Sequence, residues 1–146
     1  MTAVHALLLP VAAELYALPI GWAREVVRAP TITSLPTAPP TLLGLFNLRG
    51  EIVPILDTAA LLSIGAIPIP AFAVVASSPH GPVGLATTGV PQRRLLDPPV
   101  GPSELWGTSG SYRVDDQVAT LLDPSVLLTP GRLRGQQPSE LAALER

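Results

Sequence analysis

The feature that most restricts what this chain can fold into is its punctuation: eighteen prolines and twelve glycines are scattered through 146 residues. Proline lacks the amide donor and clashes with the preceding helical turn, and glycine in a helix interior costs about 1 kcal/mol relative to alanine. Long helices are therefore excluded. What remains is a chain of short strands joined by tight turns. Apolar runs at residues 6–11, 16–20, 25–28, 42–48, 52–56, 71–76, 83–87 and 119–122 mostly have the usual strand length of about five to six residues. Asp57 ahead of Thr58-Ala59-Ala60-Leu61-Leu62 predicts a capped turn or two of helix. Asp123-Pro124-Ser125-Val126-Leu127-Leu128 repeats it with proline at the first helical position. Residues 138–146, capped by Ser139, form a third helical candidate.

The two capped turns expose an internal repeat. Ile55-Leu56-Asp57 with Leu61-Leu62 returns 66 residues later as Leu121-Leu122-Asp123 with Leu127-Leu128. Leu15-Tyr16-Ala17-Leu18 is loosely matched by Pro82-Val83-Gly84-Leu85. Two β-rich halves follow, each with about five strands, enough to close a small barrel and so remove exposed edges.

Several function classes drop out on composition. All nine cations are arginine, against eleven acidic residues and a net charge of −2, so no basic stripe exists for nucleic acid. Cysteine is absent, which removes disulfides, thiolate metal sites and cysteine nucleophiles. Residues 58–92 carry no formal charge, yet Pro68, Pro70, Pro79 and Pro82 break any membrane-spanning helix there. The first residues lack the positive start of an export signal and Glu14 interrupts the apolar stretch, so a cytoplasmic protein is expected. Charged residues make up 14% of the chain against about 25% in an average domain. Such an apolar surplus suggests a face covered by a partner or by self-association.

Catalytic chemistry finds little to work with. His5 and His80 stand alone, and neither has a partner at metal-ligand spacing. His80 sits in Ser77-Ser78-Pro79-His80-Gly81-Pro82, which reads as a hairpin turn. Gly107-Thr108-Ser109-Gly110-Ser111 fits no phosphate-cradling or nucleophile-elbow pattern and reads as a flexible loop. Asp115-Asp116 reads as a solvated turn. A hydrolase built on His80 and Ser109 is the weakest alternative. No cofactor, metal or enzymatic activity is expected.

One constellation stands out: Gly44-Leu45-Phe46-Asn47-Leu48-Arg49-Gly50-Glu51-Ile52-Val53-Pro54-Ile55-Leu56-Asp57. Residues 47–51 interrupt two apolar strands, so they belong at a turn where Gly50 can take a positive φ and Arg49 is presented to solvent. A guanidinium can grip a carboxylate with two parallel bonds, and Glu25, on an earlier strand with few charges near it, is the candidate.

Asn47-Leu48-Arg49-Gly50 followed by Ile52-Val53-Pro54-Ile55-Leu56-Asp57 resembles the signature of the CheW-like family of bacterial chemotaxis adaptors. The likeness covers nearly the whole chain and is stronger in the first half. In the second half, where the family carries a valine-aspartate pair, this chain reads Gly84-Leu85-Ala86-Thr87-Thr88-Gly89-Val90, with no carboxylate. The resemblance implies an all-β fold with short helices: two five-stranded Src-homology-3-like barrels around a shared core. It spans residues 1–131, in intertwined halves of about 1–67 and 68–131, with a tail at 132–146. It also implies a cytoplasmic scaffold without catalysis, recruited to arrays, that couples a transmembrane chemoreceptor to a CheA-type histidine kinase. The receptor's cytoplasmic hairpin tip would bind at a groove between barrels. Arg49 and Glu25 inherit that role, Gly44 and Asn47 match the flanking motif positions, and Ala23 matches an apolar groove position. The kinase's regulatory domain would meet apolar residues near hairpin loops. An adaptor of a twitching or surface-sensing pathway, or a detached kinase regulatory module, would use the same fold.

Overall fold

The computed structural model describes residues 3–97 and 99–129. Strand β1 (Val4–Val11) turns into β2 (Glu14–Pro19), a single 3-10 turn (Ile20–Trp22) leads to β3 (Ala23–Arg28), and β4 (Leu42–Leu48) pairs with β5 (Glu51–Leu56) ahead of α1 (Thr58–Leu61). The second half runs β6 (Phe72–Ser78), β7 (Gly81–Thr87), β8 (Gln92–Leu96), β9 (Pro99–Gly101), β10 (Thr108–Val114), β11 (Gln117–Leu122) and α2 (Pro124–Leu127). Six strands form one sheet in the order β8-β1-β2-β11-β10-β9, and five form the other in the order β3-β6-β7-β5-β4.

Neither sheet belongs to one half of the chain. Hairpin β1–β2 leaves the first half to pair with β8 and β11, and hairpin β6–β7 leaves the second to pair with β3 and β5. The seams are two parallel pairings, β2 with β11 and β5 with β7, in otherwise antiparallel ladders. The repeat seen in the sequence extends through this exchange. Both second hairpins carry a bulge at their start, between Leu42 and Gly44 and between Thr108 and Gly110. Leu61 and Leu127, 66 residues apart, are both fully buried.

The β-rich, two-sheet architecture agrees with expectation, with two differences. The six-stranded sheet gains the three-residue β9, and among the described residues no ladder joins the outer strands of either sheet, so closure is not made by backbone pairing. The stretch expected as a flexible loop at residues 107–111 is mostly strand: β10 begins at Thr108 and pairs with β11 along its length. Its polar side chains hid it, because β10 lies near a sheet edge. Strand β8, Gln-Arg-Arg-Leu-Leu, was hidden likewise: it is an edge strand paired only with β1 among the described residues. The helical candidate at 138–146 lies outside the described residues.

Burial explains why β1 reads as an unbroken apolar run. Side chains alternate across a strand, and here Leu7, Leu9 and Val11 enter the large core while Ala6 and Leu8 enter a smaller one with Ala17, Leu96, Val114 and Ala119. A strand buried on both faces needs no polar alternation. Asp57 secures the other half. Its buried carboxylate accepts from the Ala60 amide at 3.0 Å, capping α1, and from the Ile67 amide at 2.8 Å. The neighbouring Thr58 hydroxyl donates to the Ala86 carbonyl at 2.7 Å, tying the helix to β7.

Candidate functional site

The β4–β5 connection has two residues, Arg49 and Gly50, between paired Leu48 and Glu51. Their φ angles are +50° and +89°, the left-handed pair that matches strand twist in a tight hairpin. Glycine takes this conformation freely and arginine does not, so the turn needs support. Asn47 supplies it: its Oδ1 accepts from the Gly50 amide at 2.8 Å. The turn thrusts Arg49 outward, its side chain 71% exposed.

The guanidinium then turns back to β3. Arg49 Nη1 donates to Glu25 Oε1 at 3.2 Å and Nη2 donates to Oε2 at 2.6 Å, the two-pronged grip expected from the sequence. Glu25 is on β3, one edge of the five-stranded sheet, and the β4–β5 hairpin is the opposite edge. The sheet must roll for them to meet, so the ion pair joins edges that backbone hydrogen bonds do not. Arg24 and Glu51, 3.6 Å apart, add a looser second contact across the same gap. The hydrogen bonds from Arg49 hold the Glu25 carboxyl below its ordinary value of 4.5, against a smaller opposing push from burial. Glu25 in turn raises Arg49 above its ordinary value. Both groups are ionised at neutral pH.

Beside Glu25 runs a groove of about 480 Å³ lined by Leu7, Ile20, Ala23, Glu25, Val26 and Arg93, among others. Leu7 and Arg93 come from one sheet and Ala23, Glu25 and Val26 from the other, so the groove lies between the sheets. Ala23 and Glu25, two of the expected site residues, share it. Arg49 reaches it only through Glu25, and Asn47 shapes the turn. Gly44 lies at the β4 bulge with φ +154°, where a Cβ would collide with the Thr33 carbonyl oxygen and Ile32 Cγ2. Its position lets the 32–33 segment pair with Leu45, Thr33 and Leu45 exchanging two backbone hydrogen bonds of 2.8 Å. Its place in the fold is thus a close backbone approach.

Sequence reading missed a second ion pair. Arg94 on β8 donates through Nη2 to Asp115 Oδ2 at 2.8 Å, and Asp115 is the tip of the β10–β11 hairpin with φ +55°. The signal was available, because the 66-residue repeat carries Arg49 onto Asp115. His80, by contrast, lies in the β6–β7 turn, its amide donating to Ser78 Oγ at 3.2 Å. Among the described residues no group of three His, Asp or Glu side chains could hold a metal ion. No helix among them is long and apolar enough to cross a membrane.

Three likenesses to known proteins bear on this arrangement. The CheW-like domain family matches residues 5–130. The "Chemotaxis protein CheW" of Treponema pallidum (strain Nichols) is 41% identical over 44 residues, 30% of this chain and 26% of that protein's length. The crystal structure of the scaffolding protein TtCheW from Thermoanaerobacter tengcongensis superposes with a TM-score of 0.69 at 24% identity, over 83% of this chain and 89% of that one.

Proposed function

Since this chain belongs to the CheW-like domain family, we propose that it is a chemotaxis-type adaptor coupling a transmembrane chemoreceptor to a CheA-type histidine kinase within a cytoplasmic signalling array. The reading is one of binding and placement, without bond chemistry. The observation that carries it is the Arg49–Glu25 grip at the rim of the groove between the sheets. The receptor's cytoplasmic hairpin tip lays apolar side chains against Leu7, Ile20, Ala23 and Val26, the lining residues that give affinity at helical spacing. The guanidinium has five donor hydrogens and commits two nitrogens to Glu25, so it keeps donors for a carbonyl or carboxylate on the hairpin. Such a charge fixes orientation more than affinity. The kinase's regulatory domain docks elsewhere, on apolar surface near the hairpin loops.

The test is co-sedimentation of the purified protein with a receptor cytoplasmic fragment and, separately, with a CheA-type kinase, comparing wild type with Arg49→Glu. Wild type is expected to bring down both. The variant is expected to lose at least about tenfold in receptor affinity, since like charges across a contact repel, while kinase binding and the circular dichroism spectrum stay unchanged. Undiminished receptor binding by Arg49→Glu removes the groove from the reading.

A further inference from the structure

Strand β8, at the edge of the six-stranded sheet, carries its inward face past the edge of the core. It pairs with β1 in a register that sets Arg93 opposite Leu7 and Leu95 opposite His5, and residues paired across strands share a face. On β1 that face sends Leu7 into the large core. On β8 it therefore carries Arg93 and Leu95, while the other face sends Leu96 into the small core and Arg94 to Asp115. Arg93 is nonetheless exposed, and Leu95 is 57% exposed. Both line a hollow of about 460 Å³. Arg93 and Ile20 line the groove beside Glu25 as well, so hollow and groove run on from each other at these two residues.

Arg93 is an uncompensated charge in this trough. Arg24 lies 3.6 Å from Glu51, Arg94 is bonded to Asp115, and both oxygens of Glu25 are held by Arg49. Arg93 has no carboxylate partner among the described residues. We propose that Arg93 determines specificity in the groove: it selects receptor hairpin tips that place an aspartate or glutamate over it, with an aliphatic residue four positions along the same helix against Leu95. The proposal rests on the receptor reading above. Two residues along a strand span about 6.6 Å and four along a helix about 6 Å, so a helix seated along β8 meets Arg93 and Leu95 with one side-chain row. The carboxylate takes two parallel bonds from the guanidinium. A tip with an aliphatic residue at that point strips water from the guanidinium and returns no hydrogen bond, so selection works by penalty as well as by attraction.

The experiment is calorimetric titration of the full chain with a receptor cytoplasmic fragment. The chain is used as wild type, Arg93→Glu, Arg93→Gln, Arg49→Glu and Arg113→Glu; Arg113 is exposed on β10, outside the trough, and its variant matches the charge change. The fragment is used unchanged and with each aspartate or glutamate of its tip replaced in turn by arginine. Arg93→Glu is expected to bind at least about tenfold more weakly than wild type, Arg93→Gln to lose less, and Arg113→Glu to bind as wild type does. One fragment substitution is expected to weaken wild type and to restore Arg93→Glu to within about threefold of wild-type binding. A wild type that does not bind the fragment overturns the receptor reading and this proposal with it. If wild type binds and Arg49→Glu does not, an Arg93→Glu that binds as wild type does overturns this proposal alone. A loss as large in Arg113→Glu, or a loss in Arg93→Glu that no fragment substitution restores, also overturns it.

Discussion

Each half of this molecule builds a bulge, a one-turn helix and a two-residue hairpin turn, by different chemistry, and the comparison is sharpest at three equivalent positions. Gly44 and Gly110 both sit at strand bulges, but a Cβ at Gly44 would strike the Thr33 backbone, whereas at Gly110 the nearest atom is the Gly101 carbonyl oxygen at 3.7 Å. Asp57 and Asp123 both precede a one-turn helix. Asp57 is buried with two backbone amides on its carboxylate, while Asp123 makes no side-chain cap and takes a hydrogen bond from the Ser125 hydroxyl at 2.6 Å. The equivalent amide in α2, that of Val126, bonds the Asp123 backbone carbonyl at 3.1 Å instead, so the Asp123 carboxylate plays no part in the cap. At the hairpin tips, arginine faces aspartate. The difference teaches that the repeat keeps the bulge, the one-turn helix and a positive φ at the first turn residue, and leaves polar groups free to specialise.

The largest break in this comparison should come from the glycines. Gly44→Ala is expected to destabilise the fold by about 2–4 kcal/mol, through backbone collision and strain at positive φ, and Gly110→Ala by roughly 1 kcal/mol. Chemical denaturation of both variants checks the ordering, and equal losses would mean that the 32–33 segment moves aside. Next in size, Asp57→Ala removes the acceptor of the buried Ile67 amide and of the half-buried Ala60 amide and is expected to cost about 2–3 kcal/mol, against less than about 1 kcal/mol for Asp123→Ala. Melting temperatures measured in one buffer decide it.

The smallest effect is one of pH. Glu25 titrates below its ordinary value of 4.5 in the fold, so its pairing contributes to stability fully above that value and loses the contribution as pH falls through the lowered one. Wild type and Glu25→Gln are therefore expected to differ by a constant unfolding free energy at neutral pH and to converge in acid below 4.5. A difference that persists unchanged into strong acid would assign the effect to packing.

How much of this was legible beforehand follows from where each signal resides. The β4–β5 hairpin was readable because its turn chemistry is local: Asn47, Arg49 and Gly50 lie within four residues. The Arg49–Glu25 pair was readable because charges are so sparse that few other partners were available. Strands β8 and β10 were not, since β8 at the sheet edge and β10 one strand in from the other edge carry arginine, serine and threonine on exposed faces and so leave no apolar run. The exchange of hairpins between halves was beyond local pattern as well. Nothing in Leu15-Tyr16-Ala17 announces that its neighbours will be residues 119–121. Gly44 matched a family motif, and only the fold reveals the backbone crossing beside it.

That exchange of hairpins bears on how the chain is made. During synthesis β1 and β2 emerge before the other strands described, yet both faces of β1 are built for burial, and its partner β8 and the β2 partner β11 come more than seventy residues later. At ribosomal speeds of about 5–20 residues per second, this hairpin waits roughly 5–20 s for its neighbours. Over that interval Leu7, Leu8 and Leu9 lack the neighbours contributed by the second half of the chain that bury them in the finished fold.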